Sequence, residues 1–133
     1  MTAATSAPPP FGLDRISQIS IVVQDVDRAT AFYRDTLGMR FLFAFPGLAF
    51  FDCGGVRLML SRAEKPEFDH PASILYYAVP DVRAARATLE SRGARFEDEP
   101  HVVHRTATYD LWMTHLRDSE GNLLVLSCEA PKG

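Results

Sequence analysis

The stretch Gln18–Gly38 recurs in weaker form from Ile74 to Gly93, and no other feature restricts the fold so tightly. Each copy runs through an alternating apolar segment into Val23-Gln24-Asp25 or Val79-Pro80-Asp81, then a helical pattern, then a glycine. In the first copy Ile19, Ile21 and Val23 alternate with Gln18, Ser20 and Val22, the period of a strand with one buried face. Asp25 is placed to cap a helix, because its carboxylate accepts from the unpaired first-turn amides. Val26, Ala29, Phe32 and Tyr33 then give an apolar stripe, and Gly38 supplies the left-handed stop. In the second copy Asp81 caps a helix reaching Ser91, with Val82, Ala85 and Leu89 as its apolar positions and Gly93 closing it.

Beyond each glycine the period shortens to that of strands. Arg40–Phe45, Leu48–Phe51 and Val56–Ser61 are punctuated by Pro46-Gly47 and by Asp52–Gly55, which gives the first unit the order βαβββ. In the second unit Ile74–Val79 is the first strand, and Phe96, His101–His104, Leu111–Leu116 and Asn122–Ser127 supply the rest. Asp25 and Asp81 lie 56 positions apart, whereas Gly55 and Gly121 lie 66 apart. The second unit therefore carries about ten extra residues, which we place around His101–Asp110 as a lengthened loop at a functional rim. The expected fold is α+β, with two tandem βαβββ modules. The expected boundaries are a flexible tail over 1–13, one domain over 14–129 and a short tail over 130–133. Within the domain, module one spans 14–62, a linker 63–72 and module two 73–129. The linker is charged and holds two prolines, and its His70 reads as a solvated loop histidine.

Composition narrows the partners. A net charge of −3 over 133 residues, with no basic run interleaved by aromatics, argues against a nucleic-acid scaffold. No apolar stretch is long enough to span a bilayer, so no membrane partner is expected. Cys53 and Cys128 lie far apart and outside any C-x-x-C spacing, which fits two reduced thiols in a soluble, cytoplasmic protein.

The duplicated βαβββ order resembles the vicinal oxygen chelate superfamily, the glyoxalase, bleomycin-resistance and extradiol-dioxygenase group. The residues that carry the likeness are Val23-x-Asp25, Ala31-Phe32-Tyr33-Arg34-Asp35-x-Leu37-Gly38, Phe96 and Asp118-x-x-Gly121-Asn122. The resemblance implies that the two modules form a half-open mixed β-sheet barrel with the helices outside. In metal-using members each unit supplies one ligand from its first strand and one from its last. Carried onto this chain, the resemblance puts those four positions at Gln18, Met59, Ile74 and Val125. Ile74 and Val125 can donate nothing, and thioether Met59 is too soft for a hard cation. The expectation is that the family's chelate is lost and no divalent metal or other cofactor is held there. His101 and His104, three apart on a strand, are expected on opposite faces, so that a cluster with His115 would need help from a loop.

Strand parity then supplies a candidate lining. If Gln18 marks the cavity side, then Ser20, Arg57, Met59, Tyr76 and Val125 share it, and the pattern of the family adds His115. Trp112 falls on the opposite face. Such a set suits a small organic, partly apolar ligand held by burial and a few hydrogen bonds. Three functions compete. One is a metal-free binding module for such a ligand. Another is a lyase, epimerase or dioxygenase that uses a metal or a His115-based acid–base site. The third is a domain kept for protein contact. The resemblance implies a homodimer under each.

Overall fold

The computed structural model describes residues 10–133. Among them the chain forms two four-stranded sheets, each partly covered by one helix. The first module contains β1 (Gln18–Val22), α1 (Val26–Ala31), β2 (Arg40–Phe45), β3 (Leu48–Cys53) and β4 (Val56–Ser61). The second contains β5 (Leu75–Ala78), α2 (Val82–Ser91), β6 (His101–Arg105), β7 (Tyr109–Arg117) and β8 (Leu123–Pro131). Both sheets are mixed and share one order, β1-β4-β3-β2 and β5-β8-β7-β6, with the first strand parallel to the last. The duplicated βαβββ plan is therefore realised, and neither sheet closes into a barrel.

The local rules of the repeat hold. Asp25 Oδ1 accepts from Arg28 N at 3.0 Å, and Asp81 Oδ1 accepts from Arg83 N at 2.9 Å. The first helix differs from expectation in its second half. Phe32–Thr36 is a widened turn in which Leu37 N donates to Phe32 O, five residues back, so the regular helix ends at Ala31. Gly38 stops it with φ +71, where an added Cβ would lie 3.0 Å from Arg92 Nη1.

One core serves both modules. Ile21, Leu58, Leu60 and Phe51 from the first sheet cluster with Val82, Leu89, Leu116, Leu124 and Leu126 from the second module. These are the faces covered by the helices; the opposite face of each sheet carries no helix. No helix of the described residues is long and apolar enough to cross a membrane.

The extra residues of the second module do not lengthen a loop at His101–Asp110. The β6–β7 turn is short, with Arg105 paired to Asp110. Most of the addition falls between α2 and β6, where Phe96 bridges Leu116 and Glu97 N donates to His115 O at 2.8 Å. The rest lengthens β7, which runs from Tyr109 to Arg117, and the turn that follows it, 118–122, where the first module has only Gly54 and Gly55. β8 continues to Pro131, past the boundary expected at 129, because Ala130 and Pro131 pair with Asp110 and Tyr109. The flexible tail expected over 1–13 lies mostly outside the described residues. Those that are described, 10–13, belong to no helix or strand.

The turn between β7 and β8 ties the modules together. Asp118 Oδ1 accepts from Glu120 N and Asn122 N, which folds the turn, and Gly121 adopts φ +86 within it. Asp118 Oδ2 then accepts from the buried Tyr33 hydroxyl at 2.8 Å, a residue of the other module. Glu120, whose side chain is 1% exposed, accepts from Gln24 N and Asp25 N at 3.0 Å and from Arg28 Nε at 2.7 Å. The Arg28 hydrogen bond leads the causes that hold the Glu120 carboxyl down at about 2, below its ordinary 4.5, against the opposing effect of burial. A group whose folded pKa is depressed contributes stability at neutral pH and loses it on acidification, here as pH falls from about 4.5 towards 2. Glu120→Ala orphans two backbone amides at the module junction. It is expected to cost about 2–3 kcal/mol in urea unfolding at pH 7. At pH 2.5 the difference from wild type should shrink. An unchanged unfolding midpoint at pH 7 would remove this contact from the account.

Candidate functional site

The sequence-expected residues fall into two groups, one on the helix-free face of each sheet. In the first sheet the parallel pairing of β1 with β4 sets Gln18 beside Arg57 and Ser20 beside Met59. Gln18 Nε2 lies 3.7 Å from Met59 Sδ. In β3, Phe50 stands next to Met59 and Asp52 next to Arg57. A bulge in β2 then changes what this face presents. The register shifts between Phe41 and Phe43, so Phe41 packs on core Phe51 while Phe43 and Phe45 cross to the helix-free side.

The result is an aromatic patch. The Phe43 ring lies 4.9 Å from Phe50 and 5.6 Å from Phe45. The Arg57 guanidinium sits 5.9 Å from the centre of Phe43 and 5.8 Å from that of Phe50, and it makes no ion pair among the described residues. Phe43 and Phe45 are 40% and 58% exposed, so no part of the described chain covers the patch. A recess of about 370 Å3 opens beside it, with Gln18, Asp52 and Arg57 in its lining. Of this group the sequence pointed to Gln18, Ser20, Arg57 and Met59. It missed the phenylalanines, because simple alternation keeps Phe41, Phe43 and Phe45 on one face.

In the second sheet Tyr76, Val125 and His115 form one row across β5, β8 and β7. Tyr76 is 58% exposed, whereas Val125 between its neighbours is fully buried. The expectation for the histidines is corrected here. β6 bulges between Val102 and His104, at the same place in the module as the β2 bulge, so His101 pairs with Met113 and His104 with Leu111. Both therefore share the face of His115. The His101 and His115 rings lie 6.3 Å apart and nearly parallel. Among the described residues no three metal-binding side chains converge.

His115 has a partner that the sequence did not reveal. Asp98, in the addition before β6, is fixed by Thr114 Oγ1 at 3.0 Å and His115 N at 2.8 Å, both donating to Oδ1. Its Oδ2 accepts from His115 Nδ1 at 2.7 Å. Partial burial pushes the Asp98 carboxyl up, but the donors from His115 and Thr114 outweigh it and hold it below the usual carboxylate range. An ionised carboxylate can only accept, so the imidazole proton sits on Nδ1 and Nε2 is the free acceptor. Such a pair can act as an oriented general base. A faint signal existed in sequence: an aspartate within the one stretch that breaks the repeat.

The four positions matched to the family's metal ligands do not make a donor set for a hard divalent cation. Gln18 and Met59 touch, but they offer one amide oxygen and one thioether. Val125 is buried and aliphatic, and Ile74, 48% exposed, lies just before β5. No hydrogen bond among the described residues joins the first-sheet group to the second-sheet group. Trp112 lies on the face opposite His115, beneath the Arg83 guanidinium at 4.4 Å.

A sequence model of the Glyoxalase/Bleomycin resistance protein/Dioxygenase superfamily matches residues 15–126. No curated protein matches the chain. Among solved structures, TnmS3, an antibiotic binding protein from Streptomyces, is 25% identical with a TM-score of 0.70, covering 91% of this chain and 100% of its own. Lactoylglutathione lyase from Agrobacterium tumefaciens is 23% identical with a TM-score of 0.69, covering 90% of this chain and 95% of its own. A superfamily member from Sphaerobacter thermophilus is 22% identical with a TM-score of 0.71, covering 88% and 98%.

The Asp98–His115 geometry makes a spectroscopic prediction. Ring nitrogen shifts of neutral His115 should report the Nδ1–H form, and Asp98→Asn should abolish that preference while the sheet persists. A His115 ring in the Nε2–H form in the wild-type protein would contradict the contact.

Proposed function

We propose that this chain, which belongs to the Glyoxalase/Bleomycin resistance protein/Dioxygenase superfamily, is a binding module for a small organic, partly apolar molecule and works without a chelated metal. The observation that carries this reading is Arg57 lying over Phe43 and Phe50 on an uncovered face. Aromatic surface rewards burial of a flat apolar body, and the guanidinium offers its edge donors to an acidic or carbonyl group on it. Gln18 adds one neutral amide at the rim. Of the side chains matched to the chelating positions, Gln18 and Met59 contribute shape and burial to this surface in place of ligand atoms. TnmS3, a structural neighbour of the same fold, is an antibiotic binding protein by its name, which fits a ligand of this size. We place the protein in the cytoplasm as a homodimer, in which a second copy would cover exposed Phe45 and Tyr76.

A second reading rests on Asp98 and His115. That pair supplies an oriented base on the other helix-free face, so acid–base turnover of a bound compound is the alternative.

The test is a thermal-shift screen of aromatic acids and ketones against protein held in a metal chelator. A true ligand raises the melting temperature with or without the chelator. Phe50→Ala and Arg57→Ala each weaken it about tenfold, roughly 1.4 kcal/mol, without unfolding the sheet. Stabilisation that appears only with an added divalent metal would overturn the metal-free reading. Conversion of a ligand to product, abolished by His115→Ala, would move the function to the second reading.

A further inference from the structure

The most exposed large apolar side chains among the described residues stand together at the start of the chain. Phe11 is 95% exposed, Leu13 96% and Ile16 60%. Residues 10–17 form no helix or strand. Their one hydrogen bond among the described residues is Ser17 O accepting from Arg57 N at 3.0 Å. Apolar residues exposed singly need no explanation, but Phe11, Leu13 and Ile16 crowd into one unpacked segment whose contact with water is unfavourable.

The strand register fixes which surface this segment can reach. β1 begins at Gln18 opposite Arg57, and β4 follows the turn after Cys53, so the segment leaves the first sheet at the end where that turn stands. Ser17 and Asp52 line one recess there, and Asp52 also lines a groove of about 640 Å3 between the modules. The aromatic patch runs the other way, from Phe50 toward the β2–β3 turn at Phe45 and Leu48. At roughly 3.3 Å per residue, an extended chain carries Leu13 about 13 Å and Phe11 about 20 Å beyond Ser17.

Groove and segment are complementary in shape and in charge. Leu37, Met39 and Leu89 give the groove apolar walls, while α2 presents Ala84 and Ala85, small side chains that leave room for large ones to enter. Arg40 and Arg92 also line it, and neither makes an ion pair among the described residues. The carboxylates of the lining, Asp52 and Asp81, are taken up by backbone amides. Asp14, next to Leu13, brings a carboxylate that is itself unpaired among the described residues.

We propose that residues 10–16 are a strap that folds into the inter-module groove of its own chain, seating Phe11 and Leu13 against α2 and Asp14 beside one of the two arginines. The described conformation is the open one. In the closed one the strap covers Cys53, a free thiol of the groove lining.

The test is alkylation of the full chain by iodoacetamide, read at Cys53 and, as internal control, at Cys128, which is free and outside the lining. Phe11→Ser combined with Leu13→Ser is expected to raise the Cys53 rate about tenfold, which corresponds to a closed form favoured by roughly 1.4 kcal/mol. The Cys128 rate should not change, because both substituted side chains lie outside the folded domain in the open form. A second readout places the strap directly. Phe11→p-benzoylphenylalanine should crosslink on irradiation to α2 or to the segment around Met39, and a mixture of isotopically heavy and light protein should show those links within single chains. An unchanged Cys53 rate in the double variant, crosslinks to the Phe43–Phe50 face, or crosslinks joining heavy to light chains would each overturn the proposal.

Discussion

Most of the polar contacts that join the two modules come from the turn Asp118–Asn122. Its carboxylates reach from the second module into the first: Asp118 to the Tyr33 hydroxyl, Glu120 to the amides of Gln24 and Asp25 and to Arg28. Asn122 Nδ2 adds a longer contact to Val22 O at 3.4 Å. The amides that Glu120 takes up are those at the end of β1, just where the first helix begins. One buried side chain thus sets where β1 ends and where the second module sits. With the helix-side surfaces joined in one core, the opposite surface of each sheet is left without a covering helix.

The two bulges decide the character of those free surfaces. Each falls at the third residue of its strand, Leu42 in β2 and Val103 in β6, so it belongs to the duplicated plan. In the first module it turns Phe43 and Phe45 away from the core. In the second it sets His104 beside His101. The same device therefore produces an aromatic patch on one sheet and a histidine-bearing surface on the other, and the side chains alone make the difference. The chelate positions follow the same division between scaffold and chemistry. Gln18, Met59 and Val125 stand within β1, β4 and β8, and Ile74 just before β5; their side chains are amide, thioether and aliphatic groups.

Much of the architecture could be read from the chain because its signals are local. The caps at Asp25 and Asp81, the stops at Gly38 and Gly93 and the alternation of β1, β4, β5 and β8 each depend on a few neighbouring residues. The same parity sets Gln18, Ser20, Arg57 and Met59 on one face of the first sheet. Where reasoning from the sequence failed, the cause was nonlocal. A bulge shifts parity by one residue, and nothing in Phe41-Leu42-Phe43 marks it, since all three positions are apolar. Asp98 reaches His115 only because residues 96–98 fold back along β7, a contact that follows from pairing and not from spacing. The extra residues, expected around His101–Asp110, fall mainly before β6, and the pattern of the repeat does not distinguish the two places.

The face carrying Gln18, Met59, Phe50 and Arg57 is proposed to bind an organic ligand with no metal between them. The most direct measurement is methyl NMR of chelator-treated protein titrated with the tightest compound from the screen. Saturable shifts are expected at the Met59 methyl, identical before and after chelation. Shifts that spare Met59, or that appear only when a divalent metal is restored, would contradict it.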